Sequence, residues 1–425
     1  MTIKKLYDAF LKCTSICTDT RKITYNSMFF ALKGDNFNGN KFAKEALKNG
    51  AKFVVIDEAE YNTHQDCILV EDTLKALQNL ATYHRKELNI PIIALTGSNG
   101  KTTTKELINA VLSTTYNTSA TKGNLNNHIG VPLTILEFEK NTEIGIVEMG
   151  ANHQKEIEFL SNITLPDYGL ITNFGKAHLE GFGGIEGVIK GKSELYNHLK
   201  SHDKFVFVNT NDAKQIEQIG DYKKAIKFGS NMSMISAQPF IKLKFNNIEI
   251  NTNLTGAYNF SNIAVAIAIG TYFKVDDRTI SKAISHYIPT NNRSQIIEKG
   301  TNKIILDAYN ANPTSMVAAL DNFGSLSLDY GFSKVAILGD MFELGDDAEI
   351  EHQYISDYSQ KFNIEQIYLV GNHFFKTIDS STSISCFQSF EDLKNEMVSS
   401  PLKNKHILIK GSRGMALERV LDVLQ

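Results

Sequence analysis

Three consecutive α/β units built on parallel strands are what this 425-residue sequence predicts. Short apolar runs of strand length recur along the chain, separated by stretches whose apolar residues repeat at helical spacing. One strand–turn–helix, over 90–112, carries a glycine turn ending in Gly100-Lys101-Thr102. The length exceeds what one hydrophobic core organises. The expected division is a small N-terminal α/β unit over 1–86, a central parallel-sheet unit of phosphate-loop type over 87–289, and a Rossmann-like C-terminal unit over 290–425.

In the first unit, residues 27–32 and 52–57 read as strands, and a short helix over 42–49 is ended by Gly50. Between them lies Lys33-Gly34-Asp35-Asn36-Phe37-Asn38-Gly39-Asn40. With Phe37 for stacking, this loop suits closing over a flat ring, and equally suits a plain turn. Asp19-Thr20-Arg21 sets a cation beside a hydroxyl, an unspecific phosphate contact. Residues 73–88 place Leu74, Leu77, Leu80 and Leu88 at amphipathic spacing, and Pro91 then marks a boundary.

The second unit opens on the most informative stretch. An apolar run over 90–95 suits a buried parallel strand, Thr96-Gly97-Ser98-Asn99-Gly100-Lys101-Thr102-Thr103-Thr104 follows, and residues 105–112 have helical periodicity. These are the parts of a phosphate cradle. Backbone N–H groups from Gly97 to Thr103 face an anion at a helix N-terminus, Lys101 adds a point charge, and the Thr102 hydroxyl suits Mg²⁺. Only Ser98 and Asn99 separate the two glycines, where the common pattern has four residues. A variant loop is expected.

Further strands are expected at 144–149, 168–172 and 205–208. Ligands gather at the carboxyl ends of parallel strands, and Glu148 and His178 stand at or just beyond such ends. With Thr102 they offer a carboxylate, an imidazole and a hydroxyl to Mg²⁺. The stretch Gly123-Asn124-Leu125-Asn126-Asn127-His128 is too amide-rich for a core and suits a polar substrate. Alternation around Asn246-Asn247 predicts a hairpin forming an antiparallel edge. Helices over 259–273 and 276–286 close the unit.

In the third unit, strands are expected at 303–307, 335–339, 366–370 and 406–410, with helices between. Polar loops again follow strand ends, at 308–313, 340–345 and 411–414.

Composition narrows the function classes. The net charge is −3 with both signs interspersed, which argues against polymeric nucleic acid as a partner. The first residues lack a signal-peptide core, and no apolar run approaches membrane-spanning length. Four scattered cysteines suit reduced thiols in the cytoplasm. A monomer is expected.

Taken together, the motifs resemble the Mur ligases, ATP-dependent amide-forming enzymes of peptidoglycan synthesis. The resemblance rests on Thr96–Thr104 as a shortened phosphate loop, Asn-Leu-Asn-Asn-His-Ile-Gly-Val-Pro-Leu-Thr at 124–134, Glu-Met-Gly-Ala-Asn-His at 148–153 and Ala-His-Leu-Glu-Gly-Phe-Gly at 177–183. Asp-Ala-Tyr-Asn-Ala-Asn-Pro at 307–313 and Leu-Gly-Asp-Met-Phe-Glu-Leu-Gly at 338–345 are the most diagnostic. Within the family these motifs resemble the member that adds D-alanyl-D-alanine to UDP-N-acetylmuramoyl-tripeptide.

The resemblance implies roles. Lys101 would hold the ATP phosphates, Thr102 and Glu148 one Mg²⁺, and His178 a second Mg²⁺ together with Lys192 as a carbamylated lysine. Asn259 and Asn262 would lie beside adenine, although Tyr258 stands where the family usually has His. Arg293 would reach ATP from the unit junction, and Asp307 and Asn310 would meet its ribose and phosphates. Thr20, Arg21 and the loop with Gly34, Phe37, Asn38 and Gly39 would bind the UDP end, and Asn126 and Asn127 the muramoyl peptide. Lys101, His178, Lys192, Arg293 and Asn310 would serve catalysis through an acyl phosphate, with the units closing over bound ATP. The alternatives are another Mur-type ligase, either third-residue-adding or folylpolyglutamate synthase-like, and a non-catalytic nucleotide-binding regulator.

Overall fold

The computed structural model describes every residue except Asn291, Ser380 and Gln425. Three large sheets of four to six strands follow one another along the chain, with two small antiparallel sheets beside them among the described residues. The first has four parallel strands in the order Ile16–Cys17, Met28–Phe30, Phe53–Ile56, Cys67–Leu69. The loop expected over 33–40 is a two-stranded hairpin, Lys33–Gly34 against Phe37–Asn38.

Helix Thr73–Leu88 starts on Asp72, whose side chain accepts from Lys75 N, and stops at Asn89 in the left-handed region. Its buried face, including Leu77, Leu80 and Ala81, belongs to a core that also contains Ile92, Val131 and Ile135 of the second unit. Each leucine, isoleucine or valine among them contributes about 2 kcal/mol when removed from water. The first unit is thereby fixed to the second.

The central sheet has six parallel strands, ordered Ala225–Phe228, Phe205–Asn209, Tyr168–Ile171, Ile92–Thr96, Ile144–Glu148, Thr118–Ala120. Ile92 to Leu95 are wholly buried, as a strand covered on both faces requires. Register brings three strand ends level: Leu95 pairs with Glu148, and Thr96 with Ile171. The loops after these strands therefore open side by side. Helix Lys101–Leu112 starts four residues earlier than its apolar spacing suggested, because the threonines 102–104 are buried in it. Leu107, Ile108 and Val111 pack with Ile263 and Ile267 of helix Asn259–Tyr272.

One expectation needs correction. The hairpin at Asn246 is not an edge of the parallel sheet; it belongs to a separate antiparallel sheet of Met232–Ser236, Lys242–Phe245 and Ile248–Asn251. Leu243, Phe245 and Ile250 face a core shared with helix Asn259–Tyr272, so alternation reported one buried face and not membership of a sheet. Edge strands Thr118–Ala120 and Ala225–Phe228 escaped prediction because they are short and half-buried.

The third sheet is ordered Gln295–Lys299, Asn302–Asp307, Lys405–Lys410, Ser333–Gly339, Gln366–Val370, Ile384–Phe387. Gln295–Lys299 is antiparallel to its neighbour and the other pairings are parallel. Both edge strands of this sheet were also unforeseen. The parallel strands present their carboxyl ends to the phosphate loop of the central unit.

Candidate functional site

A cleft of about 730 Å³ lies between the central and C-terminal units. Its floor is the phosphate loop. Gly97 has φ +143°, and a Cβ there would stand 2.0 Å from Thr172 Oγ1; Gly100 has φ +78°, with a Cβ 2.6 Å from Asn262 Oδ1. Both glycines are sterically required. The loop is tied down from the neighbouring strand end. Thr172 Oγ1 donates to Asn99 O (2.6 Å), Asn99 N donates to Asn173 Oδ1 (3.1 Å), and Ser98 Oγ donates to Gly175 O (2.7 Å).

Lys101 Nζ donates to its own loop, at 2.7 Å to Gly97 O and 3.3 Å to Ser98 O. Burial pushes this ammonium down to about 8; Glu148 opposes the shift and Arg293 reinforces it. An arriving phosphate would supply the compensating negative charge.

Beside the loop, Glu148 is 1% exposed. Its Oε1 accepts from Asn126 Nδ2 (2.8 Å), while Oε2 has no partner among the described residues. An orphaned buried carboxylate oxygen in the same cleft as the buried Thr102 hydroxyl is the donor chemistry of a hard cation. Among the described residues no three or more His, Cys, Asp or Glu side chains converge as a metal cage. Mg²⁺ suits such a sparse set, since it keeps waters and substrate phosphates as ligands.

His178 also lines the cleft, and its Nδ1 is hydrogen-bonded to Glu343 Oε2 of the C-terminal unit. That contact holds the Glu343 carboxyl below its usual range. Lys192, expected at the metal, does not itself line the cleft but lies directly behind a residue that does. It is fully buried behind Ala151, donates to Ala151 O (2.9 Å) and sits 4.8 Å from the Phe182 ring. Burial, with Lys101 nearby, drives its amine well below the ordinary lysine range.

Asn259 and Asn262 reach the cleft, but their amides are engaged in a relay. Thr104 Oγ1 donates to Asn262 Oδ1, Asn262 Nδ2 to Asn259 Oδ1, and Asn259 Nδ2 to Thr255 O, at 2.8–3.0 Å. The pair thus anchors the helix that carries the phosphate loop. Tyr258 shares a 2.8 Å hydrogen bond with Ser294 across the unit junction. Asn127 lines the cleft while its Oδ1 caps Ile129 N and Gly130 N.

The C-terminal wall brings Arg293, Asp307 and Asn310 together, as expected. The Arg293 guanidinium lies 3.8 Å over the Tyr309 ring, and its buried Nε has no partner among the described residues. Asp307 accepts from Ser294 N (3.1 Å) and from Lys410 Nζ (2.6 Å); Lys410 also donates to Asn310 O (3.1 Å). Tyr309, Lys410, Asp212 and Lys214 line the cleft and were not foreseen. The signal was present for Lys410 and Asp212, since each stands at or just beyond the end of an apolar strand.

None of the described cleft-lining residues comes from the N-terminal unit. Arg21 is exposed and forked onto Asp19 at 2.8 and 2.9 Å, and Thr20 opens the same turn. Phe37 is half-exposed and stacked on Phe42 at 5.4 Å. Asn38 bonds Glu58 (3.0 Å), Gly39 lies tight against Leu32 O, and Gly34 borders open space. These residues form a separate surface.

A variant phosphate loop at a topological switch point, roofed by a second α/β unit with its own cations, defines a multidomain α/β ligase. The chain belongs to the Mur ligase family: residues 12–94 match its catalytic domain, 95–270 its middle domain and 292–413 its glutamate ligase domain. It is 36% identical to the UDP-N-acetylmuramoyl-tripeptide–D-alanyl-D-alanine ligase of Bacillus subtilis, covering 96% of this chain and 92% of that protein. The protein of the same name from Escherichia coli is 30% identical over 99% and 96% of the two chains. A crystal structure of MurF from Acinetobacter baumannii superposes with a TM-score of 0.86 at 29% identity, covering 100% of this chain and 98% of that one. Among the described residues no helix is long and apolar enough to cross a membrane.

Proposed function

We propose that this chain joins D-alanyl-D-alanine to the terminal carboxylate of UDP-N-acetylmuramoyl-tripeptide, consuming ATP in cytoplasmic peptidoglycan precursor synthesis. The carrying observation is the opposition, in one cleft, of the phosphate loop to Arg293, Asp307 and Asn310. Near-full-length similarity to ligases of that name supports the choice of substrates.

The chemistry follows from what the residues offer. A carboxylate resists amines until one oxygen becomes a leaving group. The tripeptide carboxylate attacks the γ-phosphorus of ATP, ADP departs, and an acyl phosphate forms. The amine of D-alanyl-D-alanine then attacks the acyl carbon, phosphate leaves, and the nitrogen loses a proton. Loop N–H groups and Lys101 hold the phosphates in line, and Arg293, braced by Tyr309, meets the charge from the opposite wall. Asp307 and Asn310 orient the nucleotide, with Lys410 fixing both. Asn126 and Asn127 border the tripeptide end, and the separate N-terminal surface with Thr20, Arg21 and the 33–40 hairpin takes the UDP group.

Thr102 and Glu148 would hold one Mg²⁺, and His178 a second, with Lys192 adding a carboxylate once carbamylated. When bound, Mg²⁺ would neutralise the phosphoryl oxygens. Burial favours the neutral amine that carbamylation of Lys192 requires. Roofing by the C-terminal unit excludes water from the acyl phosphate.

The test is phosphate release from ATP with UDP-N-acetylmuramoyl-tripeptide and Mg²⁺, with and without D-alanyl-D-alanine. Release that needs both substrates and yields the pentapeptide product is expected. Turnover with a single amino acid on a shorter acceptor, and none with D-alanyl-D-alanine, would refute the substrate assignment.

A further inference from the structure

The stretch 338–345 begins with the last two residues of strand Ser333–Gly339, and none of its residues lines the cleft. Among the described residues its hydrogen-bonded link to a cleft-lining side chain is Glu343, whose carboxylate accepts from His178 Nδ1. Both residues are non-glycine and left-handed, with φ +53° at His178 and +61° at Glu343. Such backbone persists only where the surroundings over-determine it, and here they do.

Glu180 N donates to Glu343 O (3.3 Å), and a Cβ at Gly345 would lie 3.2 Å from Glu180 Cβ. On the other side, Met341 N donates to His352 Nε2 (2.9 Å), whose Nδ1 in turn donates to Ala348 O (2.6 Å). Phe342 N donates to Ser412 Oγ (2.9 Å). The Asp340 carboxylate accepts from His373 N (3.0 Å) and Phe374 N (2.9 Å). Every residue from 340 to 343 is thus held, and the held loop delivers one carboxylate across the unit boundary. A neighbouring ion pair, Lys176 with Glu351, fastens the same seam.

We propose that Glu343 is a positioning residue for His178: it keeps the proton on Nδ1 and leaves Nε2 as the ligating nitrogen, and it does so only while the C-terminal unit is docked. Nε2 makes no hydrogen bond to the described residues, and His178 lines the cleft. A carboxylate on the far nitrogen fixes an imidazole's tautomer and ring plane and raises its basicity toward a metal. In this chain that carboxylate comes from a different unit. Docking and preparation of the metal ligand are therefore one event, which would prevent a competent centre from forming in an open, wet cleft. The inference rests on the proposed metal role of His178.

The experiment uses the full chain with Mn²⁺ as the probe in the presence of ADP, read by calorimetry, together with the ¹⁵N ring signals of His178 in metal-free protein. Wild type should show the Nδ1–H pattern. Glu343→Ala should lose it and bind Mn²⁺ about 10- to 100-fold more weakly. Glu343→Gln, whose amide oxygen still accepts from Nδ1–H, should recover most of both. In a His178→Ala background, Glu343→Ala should have no further effect on Mn²⁺. Unchanged ring signals and affinity in Glu343→Ala overturn the proposal, as does an equal loss in the His178→Ala background. Wild type that binds no Mn²⁺ beside ADP overturns the metal reading itself, a result distinguishable from failure of the positioning role alone.

Discussion

Asn99 of the phosphate loop and Asn312 of the C-terminal unit form a reciprocal amide pair. Asn312 Nδ2 donates to Asn99 Oδ1 at 2.7 Å, and Asn99 Nδ2 donates to Asn312 Oδ1 at 3.4 Å. Asn312 is also the N-cap of helix Pro313–Ser325, accepting from Ser315 N in a capping box. One side chain thus starts a helix and seats its unit on the nucleotide loop. Thr314 Oγ1, one residue into the helix, accepts from Lys176 N (2.9 Å) and reinforces the seat.

The two duties of Asn312 separate by substitution. Asn312→Ser keeps a good cap but is too short for Asn99, whereas Asn312→Ala loses both. Asn312→Ser should melt within about 1 °C of wild type, and Asn312→Ala should lose about 1 kcal/mol. Both should lower kcat/KM for phosphate release about tenfold, because the walls that position the reactants are no longer held in register. Full activity in Asn312→Ser would show that the amide pair is incidental.

Glu148 is a place where stability is given up for function. Its buried Oε2 has no partner among the described residues, while Oε1 accepts from Asn126. Glu148→Gln keeps the Asn126 contact and removes the buried charge. Turnover should fall on the order of 100-fold or more, while the melting temperature stays equal or rises. Thermal melts and phosphate release on one preparation decide this; a melt several degrees lower would mean that the charge stabilises the fold.

How much of this was legible depends on whether chemistry or docking chose the residue. Gly97, Gly100, Lys101 and Thr102 were readable because a close-approach turn and a phosphate restrict the residue types allowed. Glu148 was readable from its place at a strand end. Asn99 with Asn312, and His178 with Glu343, were not: their partners lie 213 and 165 positions apart and meet only when two sheets dock. Lys192 shows a different limit: resemblance alone suggests a metal role for it, and its burial against Ala151 O emerges only from the folded chain. The hairpin at Asn246 was read correctly as a hairpin, but alternation carries no information about which sheet receives it.

His198 should shape the acid limb of stability. Burial, aided by the neighbouring His202 and opposed by Glu158, lowers its pKa from 6.5 to about 4. Between these values the unfolded chain takes up a proton that the native chain refuses, so stability falls as pH drops through that window and is fully retained above 6.5. His198→Leu removes the group. Its unfolding free energy by urea should decline less steeply than wild type from pH 6.5 to 4, and parallel slopes would refute the assignment.

Lys410 ties the third sheet to the cleft, and its removal should separate structure from chemistry. Its Nζ is shared between Asp307 Oδ2 and Asn310 O, and its side chain is 2% exposed. Lys410→Met keeps the aliphatic volume but leaves the Asp307 carboxylate with only Ser294 N as a partner among the described residues. Breaking such a pair from one side costs about 3 kcal/mol, and urea unfolding should register it. Adding Asp307→Asn removes the stranded charge, so the double variant should be more stable than Lys410→Met alone. Activity should not recover with stability. Asp307 holds Ser294, the residue next to Arg293, and neither variant restores the carboxylate–ammonium pair that fixes that corner of the cleft. A double variant that regains wild-type phosphate release would show that the pair serves folding only.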